Sequence, residues 1–96
     1  MEDTQRPLAD YFKSLGDENR LRIVQFLRNG ERCVCEIVPL VGTSQSNVSQ
    51  HLRVLREAGI IDYRRDKKMI KYFVTDPTVF VIIDELSAAL ADRNTF

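Results

Sequence analysis

A single change of period constrains this chain more than any other feature. Up to Gly59 the apolar residues recur at helical spacing, and beyond it they recur in short strand-like runs. Over residues 45–57, Val48, Leu52 and Leu55 share one side of a helix. Gly42-Thr43-Ser44 supplies a turn and an N-cap before that helix, and Ala58-Gly59 stops it. Then Ile60-Ile61-Asp62-Tyr63-Arg64-Arg65 and Met69-Ile70-Lys71-Tyr72-Phe73-Val74 are rich in β-branched and aromatic residues. Asp66-Lys67-Lys68 separates them, so residues 60–75 are expected to form a β-hairpin with a charged tip.

Other helices surround this unit. Pro7 suits a first turn, and Leu8, Tyr11, Phe12 and Leu15 follow helical spacing, giving a helix over 7–15. Asp17 is an N-cap for a second helix with Leu21, Ile23, Val24, Phe26 and Leu27 on its apolar side, ending at Asn29-Gly30. A short third helix lies within Cys33 to Val41, where Pro39 is awkward unless it falls in the first turn or forces a kink. Asp76-Pro77 opens a last helix over 77–91, striped by Val79, Ile82, Ile83, Leu86 and Leu90. The expected architecture is mostly α with a small β-hairpin, in the order α-α-α-α-β-β-α, as one domain over 1–96.

A 96-residue chain buries a limited share of its surface, so surplus apolar stripes suggest pairing with a second copy. Leu8, Tyr11 and Phe12 on the first helix and Val79, Ile82, Ile83, Leu86 and Leu90 on the last are the expected homodimer surface. No apolar run approaches the roughly 20 residues of a membrane span, and the polar N-terminus does not read as a secretory signal. The two cysteines, two residues apart, make a poor disulfide framework and fit a reducing cytoplasm.

Net charge is zero, but its distribution is uneven. Residues 44–72 carry seven Lys/Arg against three Asp/Glu, a basic segment that can serve as an electrostatic footprint for nucleic acid. The second helix of a tight helix-turn-helix, here within 33–58, can lie in a DNA major groove while the first braces it. On a helical wheel Ser46, Gln50 and Arg53 point away from the core, with Gln45, Asn47 and Ser49 on the flanks. Gln can bond adenine in bidentate fashion, Arg guanine, and Ser several base edges. Ser44 at the helix start can help hold a phosphate on backbone N–H groups. Arg64, Arg65, Lys67, Lys68 and Lys71 can engage phosphates. His51 lies about 60° from the centre of the apolar face, which suits a structural or phosphate-contacting role rather than metal ligation. Either element alone reads better as a solvated surface; their adjacency, order and charge together carry the DNA reading. One His, no glycine-rich phosphate loop and no nucleophile–base motif argue against an enzyme.

Three ordered motifs resemble those of the ArsR/SmtB family of bacterial regulators. They are the stretch from Phe12 to Ile23 (FKSLGDENRLRI), the thiol-bearing segment from Glu31 to Ile37 (ERCVCEI), and the stretch from Ser44 to Gly59 (SQSNVSQHLRVLREAG), similar to the family's recognition helix. The resemblance covers about residues 8–91. It implies a winged helix-turn-helix homodimer that sits as a repressor on a palindromic double-stranded operator, needs no cofactor to bind DNA, and leaves when it binds a toxic metal or metalloid. It also implies dimerisation through the first and last helices, where the surplus stripes lie.

Cys33 and Cys35 have the thiolate chemistry that favours soft ions. On a regular helix, residues two apart point about 200° apart, so chelation of one ion is expected to require the start of the third helix to unwind. The arsenic-sensing members often have a third cysteine where this chain has Val38. The resemblance therefore implies As(III) or Sb(III) held by two protein sulfurs and an external third ligand. Members that sense ions on the last helix use Asp and His pairs; Asp84 is present, but Leu86 occupies the partner's place. A dithiol redox sensor of the same fold is the nearest alternative, and a winged-helix protein-interaction module a more distant one.

Overall fold

Five helices enclose a core and lean on a three-stranded antiparallel sheet in the computed structural model, which describes residues 3–93. The order is α1 (Gln5–Leu15), α2 (Glu18–Phe26), β1 (Arg32–Cys33), α3 (Val34–Val41), α4 (Gln45–Glu57), β2 (Ile61–Asp66), β3 (Met69–Val74) and α5 (Thr78–Arg93). The sheet order is β1-β3-β2. β2 and β3 form the expected hairpin, pairing Ile61 with Val74 through Asp66 with Met69.

β1 is the departure from the expected order. It is only two residues long, pairing Arg32 with Tyr72 and Cys33 with Lys71, so no alternation could signal it in the sequence. α2 also ends earlier than Asn29-Gly30 suggested. From Leu27 to Gly30 the chain tightens into turns, with Arg28 N–H donating to the Gln25 carbonyl and Gly30 N–H to that of Leu27. α3 runs through Pro39, which removes the N–H that would reach the Cys35 carbonyl and so weakens the helix's first turn.

The core joins α2, α3, α4, β2 and α5 through Ile23, Val24, Ile37, Val48, Leu52, Leu55, Ile61 and Val79, each nearly inaccessible to solvent. Truncating one of these leucines or isoleucines to alanine costs about 2–5 kcal/mol in a core of this kind. Val79 and Ile83 belong to this core, correcting their placement on a free dimer surface. Leu8, Phe12, Leu86 and Leu90 are about half exposed. Tyr11 and Ile82 are partly buried, and burial raises the Tyr11 phenol's pKa, with Asp76 adding to the shift.

Caps set the helix starts. The Asp17 carboxylate accepts from the Asn19 and Arg20 N–H groups at 2.8 and 3.1 Å, and Ser44 Oγ accepts from Asn47 N–H at 3.1 Å. Gly42 closes α3 in the left-handed conformation at φ 75°, which a residue with a Cβ adopts only at a cost. The hydrogen bond from Arg20 N–H is the main reason the Asp17 carboxyl titrates below its ordinary range. Its folded pKa is therefore lower than its unfolded one. The stability it confers is present above about pH 4 and is lost as pH falls through the depressed value. Asp17→Ala is expected to cost about 0.5–2 kcal/mol near neutrality, whereas Asp17→Asn keeps the cap and flattens the acid limb. Urea unfolding at pH 7 and pH 3 checks both; equal losses for the two variants at pH 7 would rule out the cap as the cause.

Candidate nucleic-acid interface and thiol site

α4 is anchored from within and polar without. Val48, Leu52 and Leu55 are in the core, while Gln45, Ser46, Asn47, Ser49, Gln50 and Arg53 are exposed. Ser46, Gln50 and Arg53 are thus on the outer face, with Gln45, Asn47 and Ser49 exposed on its flanks. Ser44 is also exposed, but its hydroxyl serves the N-cap, and Asn47 Nδ2 donates to Thr43 Oγ1 at 3.1 Å. Both side chains hold the start of α4. Arg53 Nε donates to Glu57 at 2.8 Å, an exposed pair one helical turn apart. Such a pair is worth about 0.2–1 kcal/mol, so Arg53 can leave it for a better acceptor.

Of the two roles expected of His51, the structural one fits its surroundings and the phosphate-contacting one does not. The side chain is buried, with its Nδ1 facing inward 3.2 Å from Arg20 Nη1 and 3.9 Å from the Asp17 carboxylate. Arg20 Nε donates to the Ser14 carbonyl at 2.6 Å, and Ser14 Oγ to that of Tyr11. His51 therefore ties α4 to the α1–α2 junction instead of reaching toward a phosphate. No periodic signal marked this cluster, because its members come from three separate elements.

The wing's cations divide into two groups. Arg65, Lys67 and Lys68 are exposed, and among the described residues no carboxylate pairs with them. Arg64 differs: its Nε donates to Glu31 Oε2 at 2.7 Å and its Nη2 to Glu31 Oε1. Lys71 is half-covered and bound to Asp66 at 3.1 Å. Arg64 and Lys71 are thus not free phosphate donors, contrary to the reading of the sequence. Asp62 engages Arg56 at 3.6 Å, and that guanidinium also lies over the Tyr63 ring.

The thiols lie where β1 ends and α3 begins. Cys33 is the N-cap of α3 in extended backbone conformation, and its Sγ accepts from Cys35 N–H at 3.1 Å. Glu36 completes a capping box by accepting from Cys33 N–H at 3.3 Å, and Arg32 pairs with it at 3.4 Å. Cys33 is buried and Cys35 exposed. Their Sγ atoms are in bonding contact, with Cα atoms 5.1 Å apart. Two expectations need correction. The pair is joined here as a disulfide rather than held as free thiols. Moreover, the sulfurs do not splay by the helical angle, because Cys33 stands outside the helix.

On the last helix, Asp84 is held bidentate by Arg28 at 2.9 and 3.0 Å, and Arg28 lies over Phe80. Asp84, the carboxylate that the resemblance singled out on the last helix, is thus engaged by an arginine. No group of three or more His, Cys, Asp or Glu side chains arranged for a metal occurs among the described residues. No helix among them is long and apolar enough to cross a membrane.

Comparison with known proteins agrees with this geometry. Residues 17–63 match the family model described as bacterial regulatory protein, arsR family. The chain is 44% identical over 86 residues to a probable mercury resistance operon repressor of Streptomyces lividans, covering 90% of this chain and 68% of that one. It is 38% identical to the arsenic resistance transcriptional regulator ArsR1 of Pseudomonas putida, covering 86% of this chain and 65% of that protein. The chain thus spans about two thirds of the length of these relatives. Among solved structures it is similar to Rv0081 of Mycobacterium tuberculosis, with TM-score 0.82, 35% identity and coverage of 97% and 98% of the two chains. It is also similar to the homodimeric winged helix-turn-helix DNA-binding domain of Mb0332 from Mycobacterium bovis, with TM-score 0.79, 25% identity and coverage of 99% and 91%.

Proposed function

Because the chain belongs to the arsR family of bacterial regulatory proteins, and so is a DNA-binding transcriptional regulator rather than an enzyme, we propose that it is a homodimeric repressor of a palindromic operator, released by a thiophilic metal or metalloid at Cys33 and Cys35. The observation that carries the DNA reading is the single outer face of α4, whose apolar side is locked into the core. Gln45, Ser46, Ser49, Gln50 and Arg53 read base edges there, while Asn47 holds the start of the helix. Arg65, Lys67 and Lys68 hold phosphate from the wing. Leu8, Phe12, Leu86 and Leu90, with Ile82 and Tyr11 beside them, form the dimer face.

The effector reading rests on the position of the cysteines. Their sulfurs adjoin, the exposed Cys35 gives access, and Cys33 is at once the cap of α3 and a residue of the sheet. An ion held between reduced thiolates would separate the sulfurs and pull on the cap of a helix already weakened by Pro39. That helix packs on α2 and α4, so strain at its start reaches the reading helix. Trivalent arsenic or antimony is the favoured effector, and mercury is a second soft candidate suggested by the Streptomyces lividans relative. A dithiol redox switch is the second reading, favoured by the bonding contact between the two sulfurs.

Selection from a pool of random DNA duplexes tests the core of this reading. An inverted-repeat sequence should be enriched, and the enriched duplex should be released by one of arsenite, antimonite, mercury or cadmium. Failure to enrich any sequence would reject the repressor reading; release by peroxide alone would favour the redox switch. On the enriched duplex, Gln50→Ala or Arg53→Ala should cost about 1–3 kcal/mol and relax preference at particular bases. Lys67→Ala with Lys68→Ala should weaken all sequences alike and lower the salt slope by up to about 0.9 per lost phosphate contact. An unchanged salt slope in that variant would show that the wing tip does not touch phosphate.

A further inference from the structure

We propose, building on the DNA-binding reading above, that Glu31 is an affinity-setting residue: it occupies the Arg64 guanidinium and withholds it from the DNA backbone. Glu31 and Arg64 are 33 residues apart in sequence, yet they meet through two hydrogen bonds. Arg64 is the main cause that holds the Glu31 carboxyl below its ordinary pKa range, with Lys71 adding a smaller Coulombic pull. Asp66 stands 3.9 Å from the same guanidinium and also takes Lys71. One anion of the wing, Asp66, and one from the segment before β1, Glu31, are thus placed against two of the wing's cations.

The geometry makes Arg64 a competitor's prize rather than a purely structural group. A guanidinium fork fits a phosphate as well as a carboxylate, and Arg64 remains half exposed in the pair. It sits on β2 two residues before the strand's end at Asp66 and next to Arg65. Adjacent strand residues face opposite sides, so a hairpin tip lying in a groove, with DNA backbone on both sides of it, presents Arg65 to one backbone and Arg64 to the other. Arg65 is available for this, while Arg64 is masked. Glu31 immediately precedes β1, which carries Cys33, so the masking carboxylate belongs to the same segment as the thiols. Removing the Glu31 charge should unmask one phosphate contact per protomer without disturbing the core, since the side chain is on the surface.

Binding of a random-sequence DNA duplex by the full chain, followed by anisotropy over a series of salt concentrations, tests this. Phosphate contacts need no particular sequence, so the operator need not be known. Glu31→Gln should bind roughly 2- to 30-fold tighter as a dimer, as expected from freeing two exposed ion pairs. Its salt slope should steepen by up to about 1.8, or about 0.9 per new contact. In an Arg64→Ala background, Glu31→Gln should give no gain. Unchanged or weaker binding by Glu31→Gln overturns the inference, and so does a gain that persists without Arg64, which would reflect simple charge repulsion. A wild type with no salt-dependent binding overturns the DNA reading itself, and this inference with it.

Discussion

Leu86→Asp should yield a monomer that no longer holds a two-half-site operator. Leu86 is 55% exposed on α5 and lines an apolar groove of about 340 Å³ with Phe12, Leu21, Ile82 and Leu90. In a two-fold dimer each copy would bring its own Asp into the joint, so the interface would receive two unpaired carboxylates. Desolvating each costs several kcal/mol, and even about 4 kcal/mol in total weakens association roughly a thousandfold. The substitution leaves the buried anchors of α5 in place, because Val79 and Ile83 hold the helix in the core while Leu86 lies farther along the same stripe, outside it. Sedimentation velocity together with circular dichroism reads the result. A folded variant that stays dimeric would rule out this groove as the interface; a folded monomer with wild-type operator affinity would rule out dimeric reading.

Cys33→Ser and Cys35→Ser should keep operator affinity near wild type and lose release by arsenite or antimonite. Serine is itself a good N-cap, so Cys33→Ser removes a thiolate while preserving the acceptor for Cys35 N–H. Cys35 is exposed and outside the reading face of α4, so its replacement leaves the DNA contacts intact. An effector shifts the equilibrium only by its difference in affinity for the free and DNA-bound forms. A swing from 99:1 bound to 1:99 needs on the order of 5.5 kcal/mol. Two thiolate bonds can supply that difference; one thiolate and one hydroxyl should not. An operator-release titration on the reduced proteins decides it. Wild-type-like release from either variant would exclude the chelate, and a wild type released only by oxidant would move the switch to disulfide formation.

The alternation of charge and apolar side chains decided much of this protein before any coordinates. α4 was legible because Val48, Leu52 and Leu55 leave one helical face to Gln45, Ser46, Gln50 and Arg53. The hairpin was legible because two β-rich runs flank a charged turn. The cap residues Asp17 and Ser44 were legible because they precede their helices directly. All these are local patterns, in which neighbours in sequence are neighbours in space.

What the tertiary structure alone decided is where distant residues meet. Helical spacing places His51 near the apolar face, but only packing brings Arg20 and Asp17 to its ring. The stripe on α5 has one period, yet the core takes in Val79 and Ile83 and leaves Leu86 and Leu90 outside. Five basic residues on the wing look equivalent in sequence; Glu31 and Asp66 separate Arg64 and Lys71 from the others. The cysteine spacing suggested opposed sulfurs only on the assumption of a helix at both positions. Pairing of Arg32 and Cys33 with β3 keeps Cys33 extended, and that one long-range contact turns its sulfur toward Cys35. Burial and ion pairing depend on residues tens of positions away, so no local period could carry that information.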